Sequence, residues 1–331
     1  MKAIVHHGTE GLYGVSYTTI EKAVLEKGQV RVKLKTAGLN RRDLIVLSRH
    51  TSDQPPLVLG SDGAGVIEAI GEGVQGFEVG HEVIINPALG WKEKSSAPPH
   101  GFQILGLPDH GTFAETIVIS ADNVERKPPH LTWEEAGVLS LAALTAYRVL
   151  FSRGKLKAGE TVMIPGIGSG VATYLLQFAK KAGARVIVTS RSEEKRKKAL
   201  DIGADIAIDT NSDWNEVLHG EKVDLLIESI GGATFDKSLK QIRPGGTIVA
   251  FGATTEDRVT IDLRQFFYGQ YNLLGSTMGS REEFQEMLTF IEQHDIKPII
   301  DRVYLLSEGI EALQRMKNSE QFGKIGLKIS E

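Results

Sequence analysis

The segment Thr161–Ala182, TVMIPGIGSGVATYLLQFAKKA, limits what this chain can fold into more than any other. Its first 19 residues, Thr161–Ala179, carry no charge, which by length alone suggests a bilayer span. Pro165, Gly166, Gly168 and Gly170 interrupt that stretch near its middle, so one continuous membrane helix is a poor fit. The same residues read better as a short buried strand (Thr161–Pro165), a glycine turn and a helix (Val171–Ala182). Glycines at such a junction let backbone N–H groups approach a pyrophosphate, and the helix N-terminus adds a partial positive charge. Gly166, Gly168, Ser169, Gly170 and Val171 are therefore candidate dinucleotide-binding residues, and Ala172 is small enough for close helix–strand packing. A plain strand–helix turn is the alternative; a strand before, a helix after and another strand about 20 residues on favour the nucleotide reading.

The surrounding chain supports this reading. Arg185–Ser190, Ile206–Asp209, Val223–Ser229, Thr247–Phe251 and Asn272–Gly275 read as further strands, with helices at Glu193–Ile202 and Thr234–Ile242 between them. Near-continuous apolar runs such as VIVTS and DLLIES indicate a parallel sheet covered on both faces. The first 125 or so residues read differently, as short strands (Ala3–His6, Val30–Lys35, Gly65–Ile70, Glu82–Ile85, Thr116–Ile119) punctuated by glycines from Gly60 to Gly80. Residues 86–112 form a long proline-containing loop or lobe. Thr132 with Glu135 and Ser280 with Glu283 are capping-box signatures, predicting helices to about Phe151 and His294. The tail returns to strands at Ile299–Tyr304 and Ile325–Ile329 around a helix near Glu308–Met316. The predicted organisation is a β-rich domain (1–126), an inserted nucleotide-binding domain (127–294) and a C-terminal return to the first domain (295–331).

Composition removes several chemistries. The chain has no cysteine, so disulfides, thiolate catalysis and zinc sites built on cysteine are excluded. A net charge of −4 argues against a nucleic-acid partner. The N-terminal MKAIVHHGTEGLYG lacks the apolar core of a signal peptide, so a cytoplasmic protein with no membrane partner is expected.

Cofactor preference is read at the end of the second nucleotide-domain strand. An acidic residue there favours NAD(H). This chain has Ser190-Arg191-Ser192, followed by Lys195 and Arg196, and a hydroxyl beside a guanidinium suits a 2′-phosphate. NADP(H) is therefore expected over NAD(H), although Ser190 also fits a helix cap with Glu193 completing a box. Ser229-Ile230-Gly231 and Phe251-Gly252-Ala253 fall at the carboxyl ends of later strands, where ligands of such sheets sit; simple turn chemistry explains them equally well.

The ordered segments GAGVIEAIGEGV, GHEV, GTFAE, LTAYRVL, IPGIGSGVA, ESIGG and RPGGTIVAFG resemble the medium-chain dehydrogenase/reductase superfamily over essentially the whole chain. The resemblance implies an α/β Rossmann domain (a doubly wound parallel sheet) inserted in a β-rich GroES-like catalytic domain. It further implies NAD(P)-dependent hydride transfer in a cleft and a homodimer, with a tetramer as the other option. Zinc members carry a cysteine where this chain has Asn40 in GLNRRD, a His-Glu pair where it has Ser61-Asp62, and a third ligand near Leu141. No zinc is expected, the nine histidines show no converging spacing, and the 86–112 lobe is expected to be held by packing alone.

The Gly38–Asp43 stretch instead resembles the zinc-free quinone oxidoreductase-like branch. That resemblance places Asn40 near the nicotinamide and the substrate carbonyl. Asp43 either orients the neighbouring loop or caps a short helix. Thr145 resembles a residue packing against the nicotinamide, or bonds its own helix backbone. Lys324 resembles a residue of the tail segment that returns towards the cofactor, or is a solvated lysine. Ser61, Trp91, Phe266 and Phe267, with Tyr268, are candidate walls of a substrate pocket, or plain core.

The expected activity is NADPH-dependent, zinc-independent hydride transfer to a quinone or an α,β-unsaturated carbonyl compound. An alcohol or aldehyde dehydrogenase with an unconventional metal site, and a non-catalytic NADPH-binding sensor or structural protein, remain the alternatives.

Overall fold

The structure is a computed structural model in which residues 1–330 are described. The chain forms two compact units, one from Met1–Leu144 together with the segment from Gly279 onwards, the other from Thr145–Met278.

The second unit is built on six parallel strands: Thr161–Ile164, Arg185–Ser190, Ile206–Asp209, Val223–Glu228, Ile242–Ala250 and Asn272–Gly275. Numbered along the chain, they lie in the order 3-2-1-4-5-6, the doubly wound arrangement with a switch point between the first and fourth strands. Met163, Ile187, Leu226 and Ile248 pack with Trp214 and Leu239 in its core. Two short helices lacked a readable period. Trp214–Val217 and Leu263–Tyr268 are each started by an aspartate, Asp213 and Asp262, whose carboxylate accepts N–H groups of the first turn.

In the first unit the strand Gln29–Gly38 is central. It pairs antiparallel with Asp62–Ile70, Thr116–Ser120 and Lys324–Lys328, and the last of these runs parallel to Ile300–Leu305. The tail thus rejoins the N-terminal sheet, with Gly326 facing Gly38. A separate sheet joins Val15–Thr19, Lys2–His6 and Leu57–Val58. Between the central strand and Leu57–Val58, Arg41–Arg49 is a helix.

The two units divide at different points from the sequence boundaries at 126/127 and 294/295. Gly137 lies so close to Thr36 that a side chain there would collide with it, which seats the helix Trp133–Gly137 on the first unit's sheet. Arg281 donates its N–H to Trp91 O and its guanidinium to Asp122 and Glu125, so the helix Arg281–Gln293 belongs there too. The helix predicted from Thr132 to Phe151 is three pieces: Trp133–Gly137, Ser140–Tyr147 and a wider π turn at Arg148–Arg153.

The 86–112 lobe is held by more than packing. Asn123 Nδ2 donates to the carbonyls of Asn86 and Ala88, and the Arg42 guanidinium donates to those of Leu105 and Ile104. Lys94 pairs with Glu286. Polar side chains outside the lobe thus tie it to its neighbours. No described helix is long and apolar enough to cross a membrane.

Candidate active site

At the end of the central strand the backbone enters the Arg41–Arg49 helix through Asn40, its N-cap. Asp43 reaches back, its Oδ2 accepting the Asn40 N–H at 2.7 Å. Asp43 is therefore a capping residue, buried, and its burial pushes the carboxyl up to about 7 against the lowering effect of the Asn40 N–H.

Asn40 itself is 6% exposed and belongs to a buried polar cluster. Its Nδ2 donates to Asp62 Oδ2 at 2.9 Å, and its Oδ1 accepts from Lys324 Nζ at 2.6 Å. Lys324 Nζ also donates to Leu39 O at 2.7 Å and Asp62 Oδ2 at 3.0 Å. Asp62, wholly buried, turns its other oxygen to the Leu141 N–H at 2.7 Å. Gly323, at φ +98 and hard against Ile299 O, turns the tail into the strand that begins at Lys324.

Lys324, expected near the cofactor, is used within the protein. Its three ammonium protons are directed at three protein oxygens. Asp62, which the sequence reading did not select, is the hub of the cluster. The signal was present as a lone carboxylate in the apolar, glycine-rich VLGSDGAG stretch, with a lysine opening a strand far along the chain.

Zinc can be tested against these residues. Asn40, Asp62 and the Leu141 backbone do come together, but as partners in a hydrogen-bonded cluster whose cation is the Lys324 ammonium. The donor set does not fit catalytic zinc, which takes three His, Cys or carboxylate ligands and an open position. Among the described residues no group of three His, Asp or Glu side chains could hold a metal ion. Two histidines do meet: His6 and His50, both buried, approach Nδ1 to Nδ1 at 2.8 Å. Each ring's Nε2 faces a backbone carbonyl, that of Thr9 or Pro55. They join the first strand to the end of the Arg41–Arg49 helix.

The proposed pocket residues separate. Ser61 is buried and donates to Leu105 O at 2.7 Å while accepting from Arg42. Burial lowers the Arg42 pKa. Trp91 is buried, with its indole N–H on Ser95 Oγ and its ring edge-on to Phe102, so it packs the lobe. Phe266 packs with Tyr271 against the Rossmann core, whereas Phe267 and Tyr268 are exposed.

In the second unit the glycine turn has the shape a pyrophosphate needs. Gly166 sits at φ +77, where a Cβ would strike Ile230, and Gly168 at φ +127, where it would meet the Lys195 side chain at 2.9 Å. Ser169 caps the Gly170–Lys181 helix by accepting the Ala172 N–H, and Val171 lies in its first turn.

At the end of the next strand Ser190 Oγ accepts the Ser192 N–H, and Ser192, not Ser190, caps the following helix. Glu193 pairs with Lys197 rather than completing a box. Arg191 is exposed, while Arg196 is committed to Ser190 O and Asp209. The Ser229–Gly231 turn is shaped by buried Glu228, whose Oε1 accepts the N–H groups of Ile230 and Gly231. Phe251 donates its N–H to Glu228 O, and the Gly252 position leaves ordinary contact distance to Ser229. Thr145 is buried near the end of the Ser140–Tyr147 helix. The glycine turn, the helix N-terminus and Lys195 together fit a dinucleotide.

Residues 26–129 match the family described as alcohol dehydrogenase GroES-like domain, and residues 170–293 that described as zinc-binding dehydrogenase. A zinc-type alcohol dehydrogenase-like protein of Schizosaccharomyces pombe is 34% identical over 99% of both chains. The chain belongs to the medium-chain dehydrogenase/reductase superfamily. Another superfamily relative, an acryloyl-coenzyme A reductase of Sulfurisphaera tokodaii, is 28% identical over 99% of this chain and 100% of its own. Among solved superfamily structures, an NAD-dependent alcohol dehydrogenase superposes with a TM-score of 0.92 at 33% identity, covering 100% of both chains. A 2-octenoyl-CoA carboxylase reductase in complex with NADP and 2-octenoyl-CoA superposes with a TM-score of 0.86 at 25% identity, over 99% of this chain and 87% of that one.

The elevated Asp43 carboxyl sets a pH signature. Its unfolded-state counterpart loses its proton near the ordinary value of 3.8, so the folded chain holds the extra proton between there and about 7. This group's contribution to stability therefore falls as pH rises through that window. Chemical denaturation at several pH values should show Asp43→Asn gaining stability relative to the parent from pH 4 to 7. A stability difference that does not vary with pH contradicts this.

Proposed function

We propose that this protein is a zinc-independent, NADPH-dependent reductase of electron-poor double bonds, acting on α,β-unsaturated carbonyl compounds, enoyl thioesters among them, and on quinones. The observation that carries the proposal is the Asn40 carboxamide, held by Lys324 and Asp62 where the family resemblance puts a zinc ligand, which would offer an amide donor in place of a Lewis acid. The reductase relatives and the NADP complex described above support the substrate class and the cofactor.

Bound NADPH would supply a hydride. Gly166, Gly168, Ser169, Gly170 and Val171 would hold its pyrophosphate, and Ser190, Arg191 and Lys195 its 2′-phosphate. Ser229, Ile230, Phe251 and Gly252 would border its remaining length, and Thr145 would pack on its nicotinamide. Hydride addition at the β-carbon pushes the π electrons through the α-carbon on to the carbonyl oxygen, giving an enolate. Asn40 donates an N–H to that oxygen as its negative charge grows. Conjugation spreads the charge, so an amide donor suffices where a simple ketone needs stronger electrophilic help. A proton from solvent then completes the reduction at the α-carbon.

We also propose a homodimer formed through the Asn272–Gly275 edge strand. The outer edge of this strand is unpaired, and Leu263, Phe267 and Tyr268 nearby in sequence are 72%, 54% and 72% exposed. An apolar edge of this kind invites pairing with a second copy. Light scattering should return twice the chain mass at micromolar concentration; a monomer contradicts the proposal.

NADPH oxidation measured against enones, enoyl thioesters and quinones tests the reading. Turnover with NADPH should exceed that with NADH, and Arg191→Glu should lower kcat/KM for NADPH by about tenfold or more, since it replaces a phosphate-pairing cation with an anion. Absence of turnover across the panel, or an unchanged cofactor preference in Arg191→Glu, overturns it.

A further inference from the structure

The Asn40 side chain has two ends of similar shape and opposite hydrogen-bonding character, and only one can donate to a substrate oxygen. The structure leaves no ambiguity about which end lies where. Lys324 Nζ, which can only donate, faces Oδ1 at 2.6 Å. Asp62 Oδ2, which accepts, faces Nδ2 at 2.9 Å. Rotating the amide by half a turn would set N–H against ammonium and oxygen against carboxylate, two mismatches at once. The ammonium is itself anchored by Leu39 O and by Asp62, and Asp62 is anchored in turn by the Leu141 N–H. Each member is locked by at least two others, and all are nearly or wholly buried. One N–H of Asn40 is used on Asp62; the second has no acceptor among the described residues.

We infer that Lys324 and Asp62 are positioning residues that hold the Asn40 carboxamide in the one orientation that presents its second N–H to the substrate oxygen. The inference rests on the reductase reading above and deepens it. Lys324 does not touch the substrate or the cofactor in this scheme; it acts through Asn40. Its neighbours fit that role. The ammonium is delivered by a strand paired with Gln29–Gly38, and just before Asn40 the Leu39 N–H donates to Ile325 O at 3.0 Å. The two groups are therefore held by the same piece of sheet. An aliphatic side chain at position 324 would fill similar space yet leave the amide free to flip.

The test is a double-mutant cycle on kcat, using the whole protein, NADPH and the best enone of the panel. Asn40→Ala removes the donor and should lower kcat about a hundredfold, the usual scale for an oxyanion donor. Lys324→Met should lower kcat at least about tenfold with little change in NADPH affinity. Lys324→Met added to Asn40→Ala should cost less than about twofold more, because Lys324 has then lost the group through which it acts. Lys324→Met alone leaves the Asp62 carboxylate buried without its cation, so the variant Lys324→Met/Asp62→Asn, which removes both charges, runs beside it. If the losses multiply, Lys324 is merely structural and the inference fails.

A second readout needs no turnover. In a ¹⁵N-labelled sample the Asn40 side-chain amide, identified by its loss in Asn40→Ala, should give two distinct proton signals, one slow to exchange. Lys324→Met/Asp62→Asn should abolish that protection. Unchanged amide signals overturn the inference, and they do so whether or not the parent reduces any substrate in the panel. An inactive parent with the predicted amide signals would instead overturn the reductase reading and leave the positioning intact.

Discussion

The first unit is organised around an ammonium group that has been taken out of water. Lys324, 3% exposed, sits where two strands from opposite ends of the chain meet. Burying such a charge costs several kcal/mol unless it is paired and its remaining protons are bonded. Here all three protons are used, on a carboxylate, an amide oxygen and a backbone carbonyl. The arrangement therefore dictates much of its surroundings. It requires Asp62 at the start of one strand, Asn40 at the end of another, and the C-terminal strand beside both. Removing one charge would strand the other, which typically costs about 3–5 kcal/mol. The network is thus a constraint on the fold as well as on the site.

The second unit depends on a different constraint, the absence of side chains. At Gly166 and Gly168 the positive φ values disfavour any side chain, and a Cβ would also press on the Ile230 and Lys195 side chains. The turn is pinned to the next strand by the Gly166 and Ile167 N–H groups, which donate to Thr189, and it leads into the N-terminus of a twelve-residue helix. Glu228 does comparable work on the neighbouring turn, a buried carboxylate that spends its oxygens on two backbone N–H groups and two hydroxyls. Neither half of the chemistry relies on cysteine.

The Rossmann unit was legible because its signals are local. The apolar runs, the glycine turn and the serine–arginine step each lie within a few consecutive residues. The capping box at Ser280 starts its helix where expected, since that box is also a local pattern. The site in the first unit was legible only in part. Asn40 and Asp43 stand three residues apart, and their relation could be read. Asp62 lies 22 residues and Lys324 284 residues from Asn40, and only strand pairing brings them together. The same reasoning explains the lobe, whose ties from Asn123 and Arg42 come from outside it. Trp91 illustrates the opposite case, an aromatic residue in a loop that packs its own lobe. His6 and His50 meet across 44 residues with no spacing rule to announce them.

The central chemistry is an amide held by an internal ammonium in the role zinc plays in metal-dependent members of the superfamily. Elemental analysis of the purified, catalytically active protein, with activity followed before and after exhaustive chelation, tests that claim most directly. Zinc should be well below one equivalent per chain, and chelation should leave activity unchanged. One equivalent of zinc, lost together with activity and restored with it, would show that the protein is a zinc enzyme after all.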